Sequence, residues 1–292
     1  RPLTFSSSRN YDGTTTANTS SLTYTFSNLV SGESLVLNGS GTVASKDVSG
    51  GTQNITLGTI TLADNTGVAS NYSLTSGTMN ITQKQVNLTG TKVYDNNTTL
   101  NNSIISVASG LIGSETLGLS GDVVTNSSNV GTYLASANQL NSGSTNIALT
   151  NGSNGGLSNN YTINEGTYNI TQRPVTISGT KVYDGAQTVS AANITTFNNT
   201  AGGQTLTVSG NTSFLESQSV GSGKTINVSG LTLGNGTGVA SNYSLSSGTF
   251  NVTARPVTLT TNRLFDNTKN VDATNLSVTF NNLVGSETLS LS

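Results

Sequence analysis

Short runs along the chain alternate apolar with polar residues, as in Val175-Thr176-Ile177-Ser178, Leu206-Thr207-Val208-Ser209 and Thr225-Ile226-Asn227-Val228. A period of two places alternate side chains on opposite faces, which predicts strands with one face buried. The β-branched residues in these runs suit a pleated surface. Gly-Asn, Ser-Gly and Asn-Gly pairs interrupt them every several residues and mark turns. No stretch holds a helical period. The predicted fold class is all-β.

The runs are organised by a long internal repeat. An opening block recurs as Arg1-Pro2-Leu3-Thr4, Lys84-Gln85-Val86-Asn87, Arg173-Pro174-Val175-Thr176 and Arg255-Pro256-Val257-Thr258. Each leads to an aromatic-Asp block: Tyr11-Asp12-Gly13, Tyr94-Asp95-Asn96, Tyr183-Asp184-Gly185 and Phe265-Asp266-Asn267. The aromatic residues are spaced by 83, 89 and 82 residues. A mid-unit block recurs as Gly32-Glu33-Ser34-Leu35, Ser114-Glu115-Thr116-Leu117 and Ser286-Glu287-Thr288-Leu289, with Gly203-Gln204-Thr205-Leu206 in the third unit. A closing block contains Asn71-Tyr72, Asn160-Tyr161 and Asn242-Tyr243. The expected organisation is therefore three repeat domains, 1–83, 84–172 and 173–254, and a partial fourth, 255–292. The opening at Arg1, without Met or a leader, reads as an excerpt of a longer protein.

Charge and proline follow the repeat. Four of the eleven basic residues (Arg1, Lys84, Arg173, Arg255) open the units, and four more (Arg9, Lys92, Lys181, Arg263) lie two residues before the aromatic. The three prolines, Pro2, Pro174 and Pro256, share one place in the unit. A functional site usually breaks a repeat, whereas these residues make it, so their expected role is architectural. Lys181 and Tyr183 fall on one strand face. Asp184 then accepts from backbone amides ahead of it in an Asx turn. The next position is always Gly or Asn, which predicts a left-handed conformation and positive φ at Gly185 and Asn267. Proline at the junctions restricts φ and extends the preceding residue, so stiff connections and an elongated array are expected.

Composition narrows the chemistry. Only 8% of residues are charged, with a formal net charge of −2, and there is no His, Cys or Trp. Disulfides, Cys or His metal sites and Cys or His nucleophile–base pairs are excluded. Lys and Arg are too few to favour nucleic acid as a partner. No apolar run is long enough to span a bilayer. The absence of Cys fits a bacterial secreted protein.

The eight Asp are dispersed, without the alternating run that calcium ligation uses, so no metal site is expected. Paired-carboxylate catalysis needs two acids across a cleft. Asp184 and Glu216 are one candidate pair. Asp12 with Glu33 is another, but it recurs as Asp95 with Glu115 and Asp266 with Glu287, which argues for solvated turns. No catalytic residue and no cofactor is expected. Tyr72, Tyr161 and Tyr243 are candidates for stacking on sugars, but a recurring strand tyrosine more often packs with its hydroxyl at the rim. Asn-x-Ser/Thr tripeptides occur at roughly twenty positions, among them Asn71, Asn80, Asn160, Asn169, Asn242 and Asn251, and mark candidate glycosylation sites.

The opening and Tyr-Asp-Gly blocks at 173–185, the Ser-Gly-Glu-Ser-Leu stretch at 31–35 and the Asn-Tyr-Ser-Leu closing block resemble the YDG-type repeat domains. These occur in tandem in large bacterial surface and secreted adhesins, including filamentous-haemagglutinin-like exoproteins exported by two-partner secretion. The resemblance implies extracellular stalk or spacer repeats that project a distal binding region and bear load. The parent adhesin's partner would then be a host or matrix ligand, and each repeat's neighbours would be other repeats of the same chain. It points to no binding residue. Repeats that themselves bind a glycan or protein are the alternative function. Three architectures stay open: Ig-like sandwiches, β-grasp-like domains and a continuous β-solenoid.

Overall fold

The computed structural model describes residues 1–136 and 146–291. Residues 137–145 of the expected second repeat and Ser292, the end of the expected fourth, lie outside the described residues. The fold is all-β, with 53% of residues in strands and no helix of seven or more residues. No described helix is long and apolar enough to cross a membrane. The chain forms two compact units. One comprises Arg1–Lys92, Thr98–Ser127 and Gly131–Ile170; the other comprises Val93–Asn97, Ser128–Val130 and Thr171–Ser292.

In the first unit, alternation along Pro2–Asn10 turns Leu3, Phe5, Ser7 and Arg9 inward. This strand lies in a four-stranded sheet ordered Thr23–Ser27, Pro2–Asn10, Ser73–Thr82, Thr52–Ile55. The two central strands are parallel, and each has an antiparallel neighbour on its outer side. Parallel strands need a long crossover, usually a helix. Here the crossover is built from two-stranded ladders, such as Leu35–Asn38 with Thr61–Asp64, and three-residue 3-10 turns. Pro2 sits at the start of its strand, where a missing N–H disturbs the ladder least. Gly77 passes so close beneath Phe5 that a Cβ there would stand 2.2 Å from the ring.

The same order is met twice more. Within the first unit it is Ile105–Ser109, Lys84–Val93, Tyr161–Thr171, Gly131–Ser136; within the second it is Ile194–Asn198, Arg173–Val182, Tyr243–Thr253, Gly221–Ile226. Val175 and Ile177 are buried as the alternation predicts, and the run 225–228 is strand only as far as Ile226. Thr258–Asn262 pairs with Ser277–Asn281 in the last repeat. The parallel central pair sets these sheets apart from Ig-like sandwiches, which are antiparallel.

Three apolar clusters fill the units. One gathers Phe5, Tyr11, Leu37, Met79 and Ile81 and runs on to Val86 and Tyr161 of the following repeat. A second surrounds Leu88, Leu100, Val123 and Tyr168. The third, in the second unit, holds Ile177, Val189, Phe214 and Phe250. Burying each such side chain contributes about 1.5–3 kcal/mol.

Candidate functional site

The aromatic-Asp block is a tight turn fastened from below. The Asp side chain accepts the N–H two residues ahead in all four copies: Thr14 to Asp12 at 2.9 Å, Asn97 to Asp95 at 2.9 Å, Ala186 to Asp184 at 3.0 Å and Thr268 to Asp266 at 2.9 Å. The following residue is left-handed, with φ of 78° at Gly13, 66° at Asn96, 71° at Gly185 and 59° at Asn267. The predicted positive φ is therefore present at every copy. The basic residue two positions before the aromatic donates to carbonyls five and seven residues ahead. Lys181 Nζ reaches Ala186 at 2.9 Å and Thr188 at 2.7 Å, Arg9 binds Thr14 and Thr16, and Arg263 binds Thr268 and Asn270. Burial works against the Asp184 carboxylate. Lys181 and the Ala186 N–H outweigh it and hold the carboxyl below its usual range.

The opening Arg-Pro fastens a second left-handed residue. Arg173 donates to Asn199 at 2.7 Å, and the Asn199 amide donates to the Pro174 carbonyl at 2.8 Å. Arg1 with Asn28 and Pro2, and Arg255 with Asn282 and Pro256, repeat the arrangement. Asn28, Asn199 and Asn282 have φ of 69°, 67° and 71°. In the second repeat, where Lys84-Gln85 replaces Arg-Pro, the corresponding residue is Gly110, which needs no such fastening at φ 99°.

The turn presents its tyrosine to a seat. In the first unit the Tyr11 hydroxyl donates to Glu115 Oε1 and that of Tyr161 to Glu115 Oε2, both at 2.6 Å. The two rings meet edge to face with centroids 5.4 Å apart. Tyr161 in turn accepts the Ile112 N–H at 3.1 Å, and Lys46 lies 3.6 Å from the Glu115 carboxylate. In the second unit Tyr94 and Tyr243 share Gln204, with centroids 5.3 Å apart. There too, Tyr183 donates to Glu287 at 2.5 Å.

A buried asparagine locks the seat beside each tyrosine pair. Asn160 accepts the Val48 N–H at 2.9 Å and donates to Asp47 at 2.8 Å; Asn242 does the same with Val130 and Asn129, at 2.8 Å each. Both asparagines are 0% exposed. Burial and then the hydrogen bond to Glu115 push the Tyr11 and Tyr161 hydroxyls well above the usual tyrosine range, so they remain proton donors.

One expectation needs correction, and several candidate residues take definite places. Glu115 is buried, not a solvated turn residue. Glu33 accepts from Tyr72, and Asp12 from Arg9 and Thr14. Tyr161 and Tyr243 are 2% exposed, which closes their faces to sugars. Asn160 and Asn242 cannot accept a glycan in the folded chain. The left-handed Asn28, Asn199 and Asn282, and the seat, escaped sequence reasoning. The recurrence of Glu or Gln in the mid-unit block was their available signal.

The sequence signature of the YDG domain matches residues 1–79 and 167–250, the segments carrying the Tyr11 and Tyr183 turns and leaving out most of the second repeat. No curated protein matches the chain. With more than half of its residues matched, the chain belongs to the YDG domain family.

Proposed function

We propose that these repeats are the stalk or spacer of a bacterial extracellular adhesin, displayed at the cell surface or secreted, which projects a distal binding region and bears mechanical load. The observation that supports this reading is the use made of the recurrent residues. Tyr11, with Glu115 and Tyr161, ties one repeat to the next, and Tyr94 and Tyr183 make equivalent ties. A low surface charge suits a spacer, because few interactions are left for salt to screen. Contact with a host or matrix ligand then belongs to other parts of the parent protein.

Single-molecule pulling on the chain tests the load-bearing role. Each repeat of 82–89 residues should release a separate step, close to 300 Å of contour at about 3.6 Å per residue. Unfolding without repeat-sized steps overturns it. Saturable binding of a glycan or matrix protein by this chain alone would instead make the repeats the binding module. Antibody labelling of intact bacteria checks the location, and labelling only after lysis argues against display.

A further inference from the structure

The first repeat carries a seat built like the occupied ones. The Tyr72 hydroxyl accepts the Val30 N–H at 3.3 Å and donates to Glu33 Oε2. Tyr161 makes the same two bonds, to Ile112 and to Glu115 Oε2. In the occupied seat Glu115 Oε1 takes the incoming Tyr11 hydroxyl. Glu33 Oε1 takes no hydrogen bond among the described residues.

Exposure tells the same story at two other positions. Asn71 corresponds to Asn160 and Asn242, which are wholly buried, yet Asn71 is exposed. Val30 corresponds to Ile112, against which Gly13 packs so closely that a Cβ would lie 2.8 Å from its methyl. Val284, the equivalent residue in the last repeat, meets Gly185 in the same way, at 2.6 Å. Val30 itself is 43% exposed.

We infer that Glu33, Tyr72, Val30 and Asn71 form a docking surface for the Tyr-Asp-Gly or Tyr-Asp-Asn turn of another YDG repeat. Its tyrosine donates to Glu33 Oε1, its left-handed residue rests on Val30, and a backbone N–H from later in that repeat, as at Val48 and Val130 in the occupied seats, donates to Asn71. The inference rests on the occupied seats alone and holds whether or not the array serves as a spacer.

The test joins residues 84–172 ahead of Arg1 of the full chain, so that the added Gln172 meets Arg1-Pro2 as it natively meets Arg173-Pro174. A second fusion adds residues 1–83 instead. Amide exchange at Val30–Ser34 and Asn71–Tyr72 is compared with that of the 292-residue chain. Slowing of roughly tenfold or more is expected in the fusions. Glu33→Ala should abolish the slowing, and Tyr94→Phe in the added repeat should lessen it, with exchange in the strand Pro2–Asn10 unaltered. Unchanged exchange at these residues in either fusion whose added strands are themselves protected overturns the proposal. Slowing that survives Glu33→Ala overturns the role of Glu33 in it.

Discussion

The hydroxyl of Tyr11 donates to Glu115, 104 residues further along the chain, and Tyr183 stands in the same relation to Glu287 at the same separation. Since the repeat length is 82–89 residues, such a link always leaves one repeat and enters the next. The Tyr-Asp block therefore marks a joint as well as a turn.

That joint has a measurable strength. Tyr11→Phe keeps the ring contact with Tyr161 but removes a charge-assisted hydrogen bond, and should cost about 1.5–3 kcal/mol in urea unfolding. Glu115→Ala orphans two buried hydroxyls and should cost more. Glu115→Gln should be the mildest of the three, because Gln204 already serves Tyr94 and Tyr243 in the same role.

The buried asparagines predict an asymmetry. Asn160→Asp places a carboxylate against Asp47, whereas Asn242→Asp faces Asn129, whose amide can turn to donate. Both substitutions bury charge, and the first should lower the midpoint further by about 1–2 kcal/mol. Raising salt should not close the gap, since the site is shielded from solvent.

At the turns, Gly185→Ala should destabilise by about 1–2 kcal/mol, from its left-handed φ of 71° and the approach of Val284. Asn267→Gly, at φ 59°, should be neutral or slightly stabilising. Equal effects from the two changes would remove the left-handed requirement as the reason for the Gly/Asn alternation.

The tyrosines set an alkaline limit. Burial, with the hydrogen bond to Glu115 second, raises Tyr11 and Tyr161, and burial pushes Tyr168 up to about 12. A tyrosine raised above its unfolded value near 10 contributes stability that is complete below about pH 10 and is lost as pH climbs through the folded value. Unfolding midpoints should hold from neutrality to about pH 9 and then fall steadily, with tyrosinate absorbance appearing as the chain unfolds.

Tyr168 offers a stabilising change. Its buried hydroxyl has no partner among the described residues, and the corresponding places in the other repeats hold Met79 and Phe250. Tyr168→Phe should raise stability by about 1 kcal/mol. It should also remove this residue's share of the alkaline loss.

What the sequence discloses follows the range of the interactions. The strands at Val175–Ser178 and the Asp184 turn were legible because period-two alternation and Asx geometry involve near neighbours. The sheet order was not, since Pro2 pairs with Ser73 across a long run of short ladders and turns that carries no local cue to the pairing. Glu115 was misread for the same reason. A lone acid in a Ser-Glu-Thr turn belongs in water unless a distant partner covers it, and its cover comes from Tyr11 in another repeat. The Arg173–Asn199 link lay between, visible only through the concurrent change to Lys84-Gln85 and Gly110.

Because each tyrosine turn reaches into a neighbouring copy and finds there a seat of common design, removing or duplicating one whole copy leaves its hydroxyl with a carboxylate or amide to meet. An array of this kind can grow or shrink by unequal crossing-over without creating a mismatched seam. A change in length by less than a whole period strands a tyrosine.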